Sequence, residues 1–354
     1  MLFEHVAGPA GEAGAAGVFC CGLRVVSMDG SVTDVPDSDK NAAFFGRPSN
    51  QSRDGAFPQA RWVAAAESGT GSLLGAAIGR YTDAEQPLAA DLLGCFGPGM
   101  VVLADRKFLS WAAARAFLAT GAHLLWRASA SFAPRPVQVL ADGTYLAELK
   151  PPRKKDGPPV TVRVIEYTVH TTAADGGEQT SEVFCLVTDL LDVEECPALD
   201  LACAYPLRWG CETVIGHHKT DMGEGQPVLR SGDPEGVMQE MWALFAVYQA
   251  ISRLTGIAVD AAGIPPDQIS FPHALAAATA TVAAFPPEQA DLAFATFLAK
   301  VLMPAFFTRD RPGRASPRKT KKAGDFPARK PGEPSVTKVT RTIEFHLLCP
   351  WQLT

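Results

Sequence analysis

The stretch from Tyr205 to Lys219 reads Tyr-Pro-Leu-Arg-Trp-Gly-Cys-Glu-Thr-Val-Ile-Gly-His-His-Lys. Its prominent polar residues, at offsets of 0, 3, 7 and 14, are Tyr205, Arg208, Glu212 and Lys219. In an α-helix, which turns by about 100° per residue, these offsets fall at about 0°, 300°, 340° and 320°. The spacing therefore predicts one helical face that carries an aromatic hydroxyl, two cations and a single carboxylate.

Spacing alone leaves two interpretations of this face open. An ordinary amphipathic helix would carry an ion pair between Arg208 and Glu212, which are four positions apart. A lone carboxylate among cations also suits an acid that holds a metal ion beside a phosphate backbone. Features elsewhere in the chain must distinguish the two.

Two further acids follow apolar stretches earlier in the chain. Residues 23–28 read as a buried strand that stops at Asp29, and residues 99–104 repeat the pattern before Asp105. The Asp29-Gly30 pair favours a turn, with a metal ligand as the alternative. Two parallel strands that end in Asp29 and Asp105 would place both carboxylates at one edge of a sheet, where α/β folds build their sites.

The remaining periodicity indicates an α/β protein with a β-rich insertion. Further strands are predicted at 59–67, 72–78 and 123–127, and helices at 86–93, 108–117, 235–254, 273–283 and 287–303. Residues 1–22 and 40–58 read as loops. The alternation around Asp142-Gly143, with strands at 160–171 and 182–188, predicts the insertion. Within it, residues 150–159 form a basic, proline-rich loop that contains Arg153, Lys154 and Lys155.

These elements divide the chain into four segments. Residues 1–131 are predicted to form the first part of an α/β core, and residues 132–196 the β-rich insertion. Residues 197–305 complete the core and add the C-terminal helices, and residues 306–354 form a basic Pro/Gly-rich arm with a terminal strand. The arm carries eleven Lys or Arg against three acids between Arg309 and Arg341. It suits DNA phosphates, with a solubilising tail as the alternative.

Composition limits the class of protein. The chain has 354 residues, 47% of them hydrophobic, and can bury a large core. Its eight cysteines form no Cys-x-x-Cys pair and indicate reduced thiols in a cytoplasmic protein. The sequence has no apolar run of about 20 residues and does not begin like a signal peptide, so neither membrane insertion nor secretion is expected.

The sequence resembles the DDE transposases of bacterial insertion sequences, in the branch marked by Tyr-x2-Arg-x3-Glu-x6-Lys (the insertion-sequence-four family). The residues that match this signature without a spacing error are Tyr205, Arg208, Glu212 and Lys219. Asp29 in Ser-Met-Asp-Gly-Ser resembles the first acid of the family's triad. Asp105 in Leu-Ala-Asp-Arg-Lys-Phe resembles the second. A β-rich insertion between the second acid and the glutamate is also typical of this branch.

The resemblance implies a ribonuclease-H-like core and cut-and-paste transposition through a DNA hairpin. It implies that Asp29, Asp105 and Glu212 hold two Mg²⁺ or Mn²⁺ ions for DNA nicking and strand transfer. The residues implied to grip end DNA and a flipped base are Tyr205, Arg208 and Lys219, with Arg106 as a helper. Trp209 is a second candidate helper, although a core position is the better interpretation.

The resemblance also implies the partners of the protein. They are double-stranded DNA, in the form of the element's terminal repeats and the target, and a second copy of the chain in a dimer on DNA. No membrane is expected, and the implied location is the bacterial cytoplasm, in association with the nucleoid.

The sequence departs from the family at several points. Members carry a helical DNA-recognition domain before the first acid, whereas here the first strand begins near residue 23, so the chain reads as N-terminally truncated or as having a misplaced start codon. Pro206 and Gly210 interrupt the signature helix, which makes the single face approximate. Lys107 stands where a glycine commonly follows Asp-Arg, a mild change.

Two alternative functions remain open from the sequence. One is a truncated, inactive transposase remnant that keeps only non-specific DNA binding. The other is a different two-metal nuclease on the same core, against which the signature spacing argues.

Overall fold

The computed structural model describes residues 2–12, 14–50, 53–55, 57–129, 132, 134–173, 177–222, 228–264, 268–304, 307 and 341–349. The basic arm predicted from Arg309 lies outside the described residues up to position 340.

The chain alternates strands and helices in a mixed α/β order. The described strands are β1 (Phe19–Cys20), β2 (Leu23–Asp34), β3 (Ser49–Asn50), β4 (Arg53–Asp54), β5 (Gln59–Glu67), β6 (Leu73–Arg80), β7 (Met100–Ala104), β8 (His123–Arg127), β9 (Gln138–Val139), β10 (Tyr145–Leu149), β11 (Val160–Ala173), β12 (Glu178–Thr180), β13 (Phe184–Thr188) and β14 (Arg341–Leu348). The described α-helices are α1 (Leu2–Val6), α2 (Asp39–Phe45), α3 (Glu85–Ala90), α4 (Trp111–Leu118), α5 (Ala198–Ala204), α6 (Trp209–Thr220), α7 (Pro234–Ala262), α8 (Phe271–Ala284) and α9 (Ala290–Val301).

Five strands form the centre of one mixed sheet, in the order β6-β5-β2-β7-β8. Strand β5 runs antiparallel to both of its neighbours, β6 and β2, whereas β2, β7 and β8 run parallel to one another. This is the ribonuclease-H-like arrangement that the resemblance implies. The predicted insertion continues the same sheet, because β13 pairs with β8 and the order goes on through β11, β10 and β9.

Helices cover both faces of this sheet. On one face, side chains such as Val102, Leu124 and Trp126 pack with α3 and α4. On the other face, Trp62 and neighbouring alanines of β5 pack against α6 and α7, and α5 covers the middle strands. Strands covered on both faces read as continuous apolar runs, which explains the sequences of β7 and β8.

Helix α7 has the length and apolar composition of a membrane-spanning helix, but half of its apolar stretch is buried inside the protein. Its Met241, Phe245 and Ile251 are buried, as a core helix requires. Helix α7 therefore belongs to the core, although Val247 on its outer side is exposed.

Two local predictions are wrong. Strand β2 does not stop in a turn at Asp29 but continues to Asp34, because β5 pairs with it as far as the Asp34 and Gln59 positions. The segment 40–58, predicted as a loop, contains part of α2. That helix begins at a Ser38 cap, whose hydroxyl accepts a hydrogen bond from the Asn41 amide at 3.1 Å.

The N-terminal segment is also more ordered than a loop. Helix α1 buries Phe3 against Trp242 and Phe245 of α7. Strand β1 forms a short antiparallel pair with the beginning of β2. The first 22 residues therefore cover part of the core.

Candidate active site

The two strand acids lie on neighbouring parallel strands. Residue Ser27 of β2 stands opposite Leu103 of β7, and continuing this register by two positions brings Asp105 alongside Asp29. The Asp29 Oδ1 accepts a hydrogen bond from the Gly30 amide at 2.8 Å. The Asp105 Oδ1 accepts one from the Lys107 amide at 2.8 Å. The expectation that the two strands are neighbours is confirmed.

The signature segment does not form a single helix. Helix α5 ends at Ala204, a 3₁₀ turn spans Tyr205–Arg208, and α6 begins at Trp209. Pro206 lies in the first turn of the 3₁₀ segment, and because it has no amide hydrogen it cannot continue the hydrogen bonds of α5. The predicted single face is therefore wrong for Tyr205, which precedes α6.

Gly210 allows α6 to lie close to the turn between β5 and β6. A Cβ atom at this position would stand 2.7 Å from the Ser68 carbonyl oxygen, which is closer than real contacts allow. The Ser27 hydroxyl of β2 donates to the Leu207 carbonyl at 3.2 Å. These contacts fix the signature segment against the strand that carries Asp29.

Arg208 joins two of the three acids. Its Nη1 donates to the Asp29 Oδ2 and its Nη2 donates to the Glu212 Oε1, each at 2.8 Å. The ion pair predicted between Arg208 and Glu212 is thus present. The same guanidinium also forms an ion pair with Asp29 of β2.

The carboxyl of Asp29 is affected by the charges of both other acids. Burial raises the pKa of this carboxyl, and the negative charges of Asp105 and Glu212 raise it further. The hydrogen bond from Gly30 and the charge of Arg208 oppose this rise. The site therefore concentrates negative charge that a cation would relieve.

Among the described residues, no three His, Cys, Asp or Glu side chains are arranged as a group that could hold a metal ion. In the described geometry, the Arg208 guanidinium supplies the positive charge between Asp29 and Glu212.

Tyr205 and Trp209 differ from their expected environments. The Tyr205 side chain is buried, with 6% of its surface exposed, and its hydroxyl donates to the Ala104 carbonyl at 3.3 Å. It therefore supports the end of β7, and its buried position argues against a direct DNA contact. Trp209 is 57% exposed, so its interpretation as a core residue is wrong.

The other two predicted DNA contacts lie on different sides of the acids. Arg106 is exposed immediately after Asp105. Lys219 lies at the end of α6, where it lines a cavity of about 280 Å³ together with Asp34 of β2. Burial lowers the pKa of the Lys219 ammonium, and the charge of Asp34 opposes that shift.

The first turn of α3 braces the loop after β7, which the sequence did not suggest. Gln86 Nε2 donates to the Lys107 carbonyl at 2.6 Å, and Glu85 Oε1 lies 3.6 Å from Lys107 Nζ. A Cβ atom on Gly30 would stand 2.9 Å from Glu85 Cδ, so the glycine after Asp29 makes room for this side chain. Gly30 was the one residue in the sequence that could have indicated this packing, because the contacts themselves join residues distant in sequence.

This combination of a mixed sheet and acids on neighbouring parallel strands defines the class of ribonuclease-H-like proteins. The family model of the Transposase DDE domain matches residues 21–249, and the chain belongs to this family.

A curated protein of this family is similar to the chain over most of its length. The chain is 28% identical over 262 residues to the transposase InsG for insertion sequence element IS4 of Escherichia coli (strain K12). The match covers 71% of this chain and 57% of the relative, so the chain spans little more than half the length of that protein.

One solved structure is also similar. It is a cryo-EM structure of the piggyBac transposase synaptic complex with hairpin DNA, matched at a TM-score of 0.41 and 10% identity. The match covers 68% of this chain and 48% of that one.

Proposed function

We propose that this chain catalyses metal-dependent nicking of DNA at the ends of its mobile element and transfers those ends to target DNA, through a hairpin. The observation that carries this proposal is the pair of hydrogen bonds by which Arg208 joins Asp29 to Glu212. Asp105 follows β7, the parallel neighbour of the strand that carries Asp29, and its charge acts on Asp29. Membership of the DDE transposase family supports DNA transposition in general.

The side chains at this site suit Mg²⁺ or Mn²⁺, which prefer carboxylate oxygens. When bound, two such ions activate a water or a 3′-hydroxyl and stabilise the leaving oxygen. Asp29, Asp105 and Glu212 would hold them. Burial is the main cause of the raised pKa of Asp29, and the charges of Asp105 and Glu212 add to it, which is consistent with this assignment. The Arg208 guanidinium would then give up at least one of its two carboxylates.

The basic and aromatic residues around the acids would position the DNA. Arg208 presents a planar set of donors that suits a phosphate once a carboxylate is released. Arg106 and Lys219 would bind backbone phosphates on either side of the acids. The exposed indole of Trp209 would stack on an unpaired base. Tyr205 would act indirectly, because its buried side chain holds the end of β7 in place.

The partners follow from this chemistry. Joining two element ends to one target requires that both ends be held together, so we expect a dimer on terminal-repeat DNA. A cytoplasmic, nucleoid-associated location follows as well. The remnant with only non-specific DNA binding is not favoured, since Arg208 pairs with both Asp29 and Glu212 and the charge of Asp105 acts on Asp29.

A cleavage assay on duplex DNA with the element's own ends, in Mg²⁺ or Mn²⁺, tests the proposal. We expect nicks and hairpins from the unchanged chain, and loss of both with retained DNA binding in Asp105→Asn. Asp91→Asn is the matched control. Because Asp91 is exposed at the end of α3, the chain with this substitution should cleave DNA normally. Cleavage by Asp105→Asn at the unchanged rate would refute the assignment of this acid.

A further inference from the structure

Five cations lie close to the candidate active site, on the side of the β-rich insertion. Arg106 and Lys150 line the same surface cleft of about 250 Å³. The loop between β10 and β11 continues from Lys150 with three more basic residues. The five exposed side chains, termed the basic ridge below, are Arg106, Lys150, Arg153, Lys154 and Lys155.

The loop that carries most of the basic ridge is held in place by α4. Trp111 Nε1 donates to the Pro158 carbonyl at 3.0 Å, and Arg115 Nη1 donates to the Asp156 carbonyl at 3.3 Å. Gly157 adopts a φ of 147°, and a Cβ atom there would collide with the Arg115 guanidinium. The loop therefore displays its cations at a fixed place beside α4, the helix that follows Asp105 in the chain.

The charges of the basic ridge are largely uncompensated. Within the described residues, Arg153 pairs with Asp156 at 3.2 Å, and no ion pair is found for the other four. One acid, Glu148, lines the cleft. Neighbouring like charges repel one another, and these exposed side chains contribute nothing to the core, so the fold gains nothing from their clustering.

We propose that the basic ridge binds the sugar–phosphate backbone of DNA where it leaves the candidate active site toward the insertion. This rests on the proposed function, which places the reacting phosphate at Asp105, next to Arg106. A row of fixed cations suits a regularly spaced polyanion, and phosphate contacts of this kind position a duplex without reading its sequence.

The salt dependence of DNA binding by the full chain tests the inference. Binding of a fluorescent duplex with the element's ends is measured by anisotropy from low to moderate salt. The triple variant Lys150→Gln, Lys154→Gln, Lys155→Gln should lose about two to three units of the slope of log K against log salt, since each phosphate contact contributes about 0.9. Its affinity at about 0.1 M salt should fall at least tenfold.

A matched triple variant controls for charge alone. Lys40→Gln, Arg80→Gln, Arg253→Gln removes three exposed cations from α2, β6 and α7, and should leave the slope nearly unchanged. Glu148→Gln should act in the opposite direction and tighten binding, because it removes the acid of the cleft. Circular dichroism confirms that each variant is folded.

Equal slopes for the ridge variant and the unchanged chain would overturn the inference, even if cleavage is normal. A chain that shows the expected slope change but never cleaves would support the ridge and refute the proposed function. The two ideas therefore fail separately.

Discussion

Arg208 is the residue on which the geometry of the candidate site depends. One guanidinium donates to an acid on a strand and to another on a helix, in a planar two-donor arrangement that a lysine could not reproduce. It keeps Asp29 and Glu212 near each other despite their like charge. The guanidinium charge partly compensates for the charges of these two acids.

His218 is a single residue with a measurable effect on stability. Its ring is buried among Trp62, Phe245 and Tyr248, and its Nε2 has no hydrogen-bond partner within the described residues. Burial lowers the pKa of this imidazole to about 3, and His217 adds to the shift. The folded protein thus keeps His218 neutral at a pH where the unfolded chain would protonate it.

Because the folded-state pKa lies below the unfolded value, this residue costs stability as the pH falls from about 6.5 toward 3. We expect it to remove about 2 kcal/mol from the free energy of unfolding between pH 7 and pH 5. The variant His218→Phe should show a correspondingly smaller loss in urea titrations at the two pH values. His5→Gln, at an exposed position, should lose stability like the unchanged chain. Equal losses in all three would contradict the assignment.

At the scale of elements, the close packing of α6 on the turn between β5 and β6 depends on one of the two glycines of that helix. Gly210 faces the Ser68 carbonyl of the turn between β5 and β6, whereas a Cβ atom on Gly216 of the same helix would meet nothing within 4 Å. The two glycines therefore have different roles. The first permits a close approach, and the second weakens the helix without a structural reason.

We expect Gly210→Ala to lower the free energy of unfolding by roughly 1–3 kcal/mol, as overpacking does, and to lower cleavage because Glu212 moves with the helix. Gly216→Ala should instead stabilise the protein by about 0.5–1 kcal/mol with cleavage retained. Chemical denaturation and the cleavage assay measure both effects. A Gly210→Ala chain as stable and active as Gly216→Ala would show that the close approach is unimportant.

At the scale of the whole molecule, the insertion and the core are one sheet through the pairing of β13 with β8, and a buried arginine holds the insertion together up to its end. The Arg163 side chain of β11 is completely buried. It donates to Thr144 Oγ1 at 2.9 Å and to the Cys196 carbonyl at 2.7 Å, and it pairs with Asp142. It thereby links a hairpin of the insertion to the segment that leads into α5 and the signature.

Arg163→Met should destabilise the protein by roughly 3–5 kcal/mol, because it leaves buried carbonyls and a carboxylate without their donor. The lower end is expected, since Asp142 is partly exposed and can be rehydrated. Arg135→Met, at an exposed position of the insertion, should change stability by less than about 0.5 kcal/mol. Denaturant titration compares them, and similar midpoints would argue against this link.

Much of the fold could be predicted from local patterns. Strands β5 and β8 have the predicted bounds, and the predicted helix at 235–254 lies within α7. The errors fall where a partner distant in sequence decides the outcome. Strand β2 continues past Asp29 because β5 pairs with it. Part of the predicted loop at 40–58 belongs to α2. The side-chain Nδ2 of Asn41 in this helix donates to the Ser231 carbonyl near α7.

The sequence by itself indicated the family, most of the strands and helices, and the candidate acids with their basic signature, because spacing and periodicity are local properties of the chain. Tertiary structure alone decided that Arg208 bridges Asp29 and Glu212, that Tyr205 is buried and that Trp209 is exposed. Each of these depends on how the 3₁₀ turn and α6 pack against β2 and β7. The physical reason is that burial and ion pairing are set by neighbours in space, which periodicity along the chain does not specify.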